Sequence, residues 1–477
     1  MVPAMSGGRD KLTIPPELEA EMTPAVRAFV ALLLKRIESL EAEVDELKRR
    51  LGKTPQNSSL PPSSQHPHAK PAPPKPKSKR KRGGQPGHEK FERALVPPDQ
   101  VTELITLKPK ACRRCGERLK GNDRDPLRHQ VWELPEIRPI ITEYQRHRLL
   151  CRCCGTSTCA PLPRGVPEHQ SGPQLIAFIA MLMGCFRQSK RRVSLFCETV
   201  LNIPCSPGLV VKLQNKATDA LHPTYEDWIQ ALPRQTILGG DESPTKESQR
   251  KAWLWTFVAP DFTVFAIRPT RGGEVLDELL TDRFHGIVTC DRAKMYWRLP
   301  ALQWCWAHLK RDFQALVDSG VPVAKRLGKQ LLEQTRLLFR QWTRCRDGTI
   351  SQTGLKSSLG KTRKAVERLL LRGLNCRHSK TSGMCQELLQ HRAWLWTFLS
   401  HAGVEPTNNA SERALRPAVI WRKLSFGTQS ASGSRFVETL LSVIETCRRQ
   451  GRDAFAFVAN AIKAHFHHRA PSILVGV

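Results

Sequence analysis

Between Val26 and Leu51 apolar residues return at alternating steps of four and three. Val26, Leu33, Leu40 and Leu47 take one heptad position, d, and Val30, Ile37, Val44 and Leu51 take the other, a. A period of 3.5 with β-branched residues at three of the a positions and Leu at most d positions predicts a parallel two-stranded coiled coil over residues 20–52. The flanking charges agree, since Arg36 at g meets Glu41 at e of a partner helix and Glu43 meets Lys48. The expected assembly is therefore a homodimer.

The periodicity then stops. Residues 53–95 read as a basic, proline-rich linker: eight prolines lie between residues 61 and 88, and seven Lys or Arg between Lys70 and Arg82 with no acid among them. Such an arm, with Lys75, Lys77, Lys79, Arg80, Lys81 and Arg82, follows a phosphate backbone without reading bases. Strand-rich sequence returns from Val131 to Leu150, with Val, Ile, Thr and Tyr. From 166 to 232 the pattern is helical. Lys190–Val200 and Pro207–Leu232 form two helices joined by Leu-Asn-Ile-Pro-Cys, with Ser206 as N-cap and Pro207 in the first turn. This pair fits a helix-turn-helix DNA reader with Lys212 and Lys216 facing phosphate, and it fits a plain helical connector as well.

An α/β unit follows. Thr236–Gly240 is an apolar run ending in Asp241; Trp253–Val258 and Thr263–Ile267 alternate as a hairpin; Glu274–Leu280 is a helix; Ile287–Thr289 is a strand leading to Asp291; Leu302–Trp306 is another strand. The order β-β-β-α-β-α-β predicts an RNase H-like sheet over 233–430 in which the first and fourth strands are neighbours, so that Asp241 and Asp291 meet. A helical insertion is expected at about 314–405, and a helical region over 431–477. Glu412 sits in Thr-Asn-Asn-Ala-Ser-Glu-Arg-Ala-Leu-Arg-Pro, read as a short helix capped by Asn408 or Asn409 and stopped by Pro417. The fold class is thus multidomain α/β.

Composition narrows the chemistry. The 75 Lys and Arg against 44 Asp and Glu leave +31, which points to a polyanion, nucleic acid first. A purely packing protein would not need 40% hydrophobic residues and 11 Trp. The first 20 residues carry no apolar signal region, and the longest apolar run, Leu175–Phe186, is too short to span a bilayer. With 15 scattered cysteines, a reduced cytosolic protein with a metal site is expected rather than a disulfide scaffold.

Two metal chemistries stand out. Cys112-x-x-Cys115-Gly116 and Cys151-x-x-Cys154-Gly155 are paired knuckles, each with a glycine suited to positive φ, and predict a structural zinc domain over 96–165. The 35-residue spacer is long, and Cys153 and Cys159 leave the fourth ligand open. Asp241, Asp291 and Glu412 are hard oxygen donors from separate elements, which suit Mg²⁺. Cys305-x-x-His308 has no partner pair in its sequence neighbourhood, so a structural role is expected, with His308 hydrogen-bonded beside the acidic site. His465, His467 and His468 read as a solvated helix end.

Several motifs together carry a resemblance: the zipper-like start, Asn57-Ser58-Ser59 with Pro61-Pro62-Ser63-Ser64, Gly83-Gly84-Gln85-Pro86-Gly87-His88, the two knuckles, Asp241-Glu242-Ser243-Pro244, Cys305-Trp306-Ala307-His308 with Lys310-Arg311, Asn408-Asn409 through Glu412-Arg413, Arg422-Lys423, and Ile444-Glu445-Thr446. The chain resembles the bacterial DDE transposases of insertion-sequence family sixty-six, nearly end to end. It departs in Ser243, where the family usually has Thr, and in Arg292, where a Gly usually follows the second Asp.

The resemblance implies that Asp241, Asp291 and Glu412 are a catalytic triad using two Mg²⁺ or Mn²⁺ ions. It implies transposon-end and target DNA as partners, contacts from Arg422 and Lys423, small accessory proteins of the same element, no membrane, and a bacterial cytoplasmic, nucleoid-associated location. The readings that compete with a transposase are a non-enzymatic DNA-binding regulator and an RNase H-like structure-specific nuclease.

Overall fold

The computed structural model describes residues 21–51, 87–89 and 93–470. The basic arm from Lys75 to Arg82 lies outside the described residues. The first element, α1 (Pro24–Leu51), is a helix whose Val26, Leu33, Ile37, Leu40 and Val44 are all exposed in the single chain. Among its described side chains, none belongs to the buried core.

Residues 93–165 hold little regular structure. The expected strand from Val131 to Leu150 is confined to β1 (Arg148–Leu150), which pairs antiparallel with β2 (Ser157–Cys159). Residues 131–147 find no neighbouring strand, and Val131, Leu134, Ile140 and Ile141 are exposed. Strand-prone side chains do not make a strand without a ladder partner and a face to pack on.

The body begins with α2 (Pro173–Gly184), α3 (Lys190–Val200) and α4 (Pro207–Ala231). Ser189 and Ser206 cap α3 and α4 by accepting from Arg192 N–H and Leu209 N–H. Between them α4 is a central helix: Val210, Leu213, Ala217, Leu221, Tyr225 and Trp228 are buried, Tyr225 donates its hydroxyl to Phe265 O at 3.0 Å, and Lys212 and Lys216 stay exposed.

Five strands form one mixed sheet: β3 (Ile237–Glu247), β4 (Arg250–Val258), β5 (Thr263–Arg268), β6 (Ile287–Cys290) and β7 (Ala301–Trp304), in the order β5-β4-β3-β6-β7. The first three run antiparallel and β3, β6 and β7 run parallel. The first and fourth strands are therefore neighbours, as the strand order predicts. α5 (Glu274–Leu280) precedes β6, and a 3-10 turn (Lys294–Arg298), not an α-helix, links β6 to β7. Trp306 begins α6 (Trp306–Val317) rather than ending β7.

From there to residue 400 the chain is helical: α7 (Pro322–Arg346), α8 (Gln352–Ser358), α9 (Gly360–Leu374), α10 (Ser379–Gln390), then two 3-10 turns. It returns to the sheet as α11 (Asn409–Ser425), which lies over β3 and β4, and closes with α12 (Ala431–Gln450) and α13 (Ala454–Phe466).

An edge strand presents unpaired N–H groups, and β5 is one. Here α12 covers it with three acceptors at i, i+4 and i+8: Glu438 takes Ile267 N–H, Ser442 takes Phe265 N–H at 2.9 Å and Thr446 takes Thr263 N–H at 3.1 Å. One helix face meets alternate residues of one strand edge because both repeats rise by similar lengths. Glu438 is 1% exposed and also holds Arg268 and Arg435; its burial pushes the carboxyl up to about 7.

Candidate active site

The parallel register of β3 on β6 pairs Ile237 with Ile287 and Gly239 with Thr289. Carried two residues further, it sets Asp241 level with Asp291, just past the end of β6. Asp241 is not at a strand tip, as expected, but inside β3, because the antiparallel ladder with β4 continues from Gly239↔Val258 to Glu247↔Arg250. The Asp241 carboxyl sits well above the usual range, first through burial and then through the charges of Glu242, Asp291 and Glu412. Those four carboxylates thus share one electrostatic neighbourhood.

Glu412 reaches it from α11, whose N-cap is Asn408. The Asn408 side chain makes no capping hydrogen bond, and Pro417 lies inside the 17-residue helix instead of stopping it. The proline removes one helical hydrogen bond, but the buried face of Ala414, Leu415, Ala418 and Trp421 packs the helix on the sheet across that point. Close approach depends on Gly239, since a Cβ there would collide with Ser411 Oγ, the neighbour of Glu412.

Behind the site lies a group that sequence reasoning did not single out. Glu242, with its side chain 2% exposed, accepts from Tyr296 Oη at 2.7 Å and is paired with Arg271. Burial and Asp291 push its carboxyl up, while Arg271 and Tyr296 act against that. Arg271 also lies over the Trp253 ring, 5.1 Å from its centre. The only sequence signal was the adjacency of Glu242 to Asp241; its partners come from 29 and 54 residues away.

Arg292, the cation after the second Asp, does not stand free beside the carboxylates. It bridges Asp312 at 2.9 Å and Glu387 at 2.5 Å. Arg422 donates to Ser243 Oγ at 3.2 Å and to Pro244 O, tying α11 to β3, while Lys423 is exposed.

The N-terminus of α6 closes the site. Cys305 N–H donates to Cys290 O at 2.9 Å, and Trp306 N–H to Pro406 O at 2.9 Å, which fastens the Cys305–His308 turn between the strand before Asp291 and the loop before α11. Burial pushes the Cys305 thiol up to about 12. The Nδ1 atom of His308 stands 3.6 Å from Glu412 Oε1, too far for a hydrogen bond. Among the described residues, Cys305, His308 and Glu412 form the one group of three possible ligands whose donor atoms lie within 4.8 Å of one another. The Asp241, Asp291 and Glu412 oxygens do not all meet at that spacing.

The knuckles repeat one turn. Gly116 N–H donates to Cys112 O and Gly155 N–H to Cys151 O, both at 2.9 Å, with φ of +79° and +69°. Backbone N–H groups of Cys115 and Arg114 hold the Cys112 thiol below its usual value; the Thr156 hydroxyl and backbone do the same for Cys154. Within each knuckle the two sulfurs face each other, yet no three of the four cysteines converge. At the other end, the ring of His467 packs where a Gly165 side chain would go, and Arg164 donates to its carbonyl.

The family model described as "Transposase IS66 family" matches residues 168–435, more than half of the 477-residue chain. A model for a family of unknown function (DUF6444) matches residues 11–94. Two relatives come from Sinorhizobium fredii (strain NBRC 101917 / NGR234), both uncharacterized. Protein y4hP is 25% identical over 77% of this chain and 72% of its own length. Protein y4qI is 26% identical over 46% of this chain, and the match spans 45% of y4qI.

Proposed function

Because the chain belongs to the IS66 transposase family, we propose that it binds the ends of an insertion element, cuts them in a divalent-metal-dependent reaction and joins the freed 3′-hydroxyl to target DNA. Asp241, Asp291 and Glu412 are the catalytic carboxylates of this reading. The observation that supports it is the approach of three elements far apart in sequence: Asp241 in β3, level with Asp291 just past the end of the parallel strand β6, and Glu412 on the helix packed over β3 and β4.

The donor set fits a hard dication. All three donors are carboxylates, and burial first, then the charges of Glu242, Asp291 and Glu412, raise the Asp241 carboxyl. Bound there, two magnesium or manganese ions would activate the attacking hydroxyl and stabilise the leaving 3′ oxygen. The chain's own residues supply placement. Tyr296 and Arg271 fix Glu242 behind Asp241; Asp312 and Glu387 draw Arg292 aside; Gly239 lets α11 settle close enough to present Glu412. The strand order β5-β4-β3-β6-β7, with β4 antiparallel to its neighbours, supports an RNase H-like assignment for the catalytic domain.

The remaining parts are assigned by the same reading. The exposed heptad seam of α1 pairs two chains, so that two element ends are held together. The arm from Lys75 to Arg82 and Lys423 contact DNA backbone. Cys112, Cys115, Cys151 and Cys154 hold one structural zinc once the two knuckles close on it.

The test supplies purified protein with a pre-cut element end bearing a 3′-hydroxyl, a target plasmid and Mg²⁺. Joined products support the transposase. Cutting of branched DNA without joining would instead mark a nuclease, and binding without either reaction a DNA-binding regulator.

A further inference from the structure

We propose that Cys305, His308 and Glu412 form a binding site for one borderline divalent transition-metal ion, zinc by its ligand set, adjoining the carboxylate pair and separate from the cysteine knuckles. The three residues come from the cap and first turn of α6 and the first turn of α11, 107 residues apart in the case of Cys305 and Glu412. Their donor atoms converge within 4.8 Å of one another.

Three observations point to a ligand and not to ordinary packing. His308 Nδ1 and Glu412 Oε1 are 3.6 Å apart. That is beyond hydrogen-bond range, yet close to the separation of about 3.3–3.5 Å expected for two atoms sharing one tetrahedral ion at bonds of about 2.0–2.2 Å.

Both atoms are buried with no hydrogen-bond partner, and so are both side-chain polar atoms of Asn408 and the Ser411 hydroxyl. Asn408 is 1% exposed and Ser411 0%. Buried polar groups are nearly always satisfied, so the orphaned atoms of His308 and Glu412, with those of Asn408 and Ser411 at the same end of α11, call for a partner.

The surroundings of the sulfur also suit a metal thiolate. Backbone N–H groups of Asn408, His308 and Ala307 face Cys305 Sγ, and Cys305 itself is 0% exposed. Burial outweighs these amides and keeps the thiol protonated, so the metal itself must displace the proton, which binding would release to solvent as the metal–sulfur bond forms.

The donor types choose the ion. A thiolate and an imidazole with one carboxylate suit zinc, whereas magnesium takes oxygen. Three protein ligands leave a fourth position open, the arrangement of zinc sites that face substrate. Glu412 has two oxygens. With Oε1 on the side of His308, Oε2 is left to serve the Asp241 and Asp291 side, so one carboxylate joins both centres.

The experiment counts metal in full-length protein, purified without chelator, by inductively coupled plasma mass spectrometry, and so does not depend on whether the protein moves DNA. The wild type should hold one more zinc per chain than Cys305→Ser or His308→Asn. A protein with Cys112, Cys115, Cys151 and Cys154 all changed to Ser should keep one zinc, and in cobalt-loaded form should show a sulfur-to-cobalt charge-transfer band that disappears on adding Cys305→Ser. Should the fourfold variant fail to fold, the wild type against the two single variants decides the matter. Equal zinc in wild type, Cys305→Ser and His308→Asn overturns the proposal, as does a charge-transfer band that survives Cys305→Ser.

Discussion

Replacing Gly239 by Ala adds one methyl group beneath Ser411, and the collision it causes can be worked out from two residues. The new Cβ would overlap Ser411 Oγ, whereas the next atoms, Ser411 Cβ and Val258 Cβ, are at an ordinary 3.7 Å. The overlap therefore involves one hydroxyl. Ser411 is buried on α11 with that hydroxyl unpartnered, so the strain is relieved either by turning Ser411 into its crowded neighbours or by lifting α11 off the sheet. Overpacking of this kind costs about 1–3 kcal/mol.

If the helix lifts by about 1 Å, Glu412 moves with it, and a displacement of that size costs roughly a hundredfold in rate. Ser411→Ala should restore both quantities in the double variant, because it deletes the clashing atom and leaves the 3.7 Å contacts. Denaturant unfolding and Mg²⁺-dependent cleavage of labelled element ends measure the cycle, with an expected coupling of about 1–3 kcal/mol between the two positions. Wild-type stability and cleavage in Gly239→Ala, or no rescue by Ser411→Ala, would refute the seating of α11 on β3 as the device that presents Glu412.

Other outcomes follow from the same structure. If α1 pairs two chains as proposed, Leu40→Asp with Leu47→Asp should leave a monomer by light scattering, since a carboxylate in the seam costs several kcal/mol or must protonate; a dimer in this variant means that α1 does not pair chains through this face. Glu438, pushed by burial up to about 7 from the ordinary 4.5, contributes stability that is fully present below about pH 4.5 and is lost as the pH rises through 7. Between pH 5 and 8 the wild type should lose more unfolding free energy than Glu438→Gln, by up to about 3 kcal/mol, and equal slopes would show that the carboxyl ionises without penalty.

Local rules made much of this fold legible. Ser206 and Pro207 mark the start of α4, and the alternation of Trp253–Val258 and Thr263–Ile267 marks the hairpin of β4 and β5. Asp241 and Asp291 stand out because each follows an apolar strand run. The far end of β3 was not legible: β3 turns into β4 through Ser248 and Gln249, both at positive φ, 47° and 65°, without the Asn or Gly that usually signals such a turn. Pro417 reads as a stop in sequence, but packing of α11 on the sheet outweighs the one lost hydrogen bond. The strand expected over residues 131–147 lacks any partner to pair with. Least visible were the contacts between distant segments, Glu242 with Arg271 and Tyr296, and the convergence of Cys305 with Glu412; His308 was expected beside the acidic site, but as a hydrogen-bonding residue. No local pattern encodes a meeting that the sheet order and the path of α11 create.

The most direct test of the central claim is the rate of Mg²⁺-dependent end cleavage by Asp241→Asn, Asp291→Asn and Glu412→Gln, measured beside binding of the same DNA. Each change removes a charged oxygen ligand and almost no volume. Loss of a ligand worth several kcal/mol, about 4, lowers the rate roughly a thousandfold, and the account predicts that loss in all three variants with DNA binding intact. Cleavage at the wild-type rate by any one of them would contradict the triad.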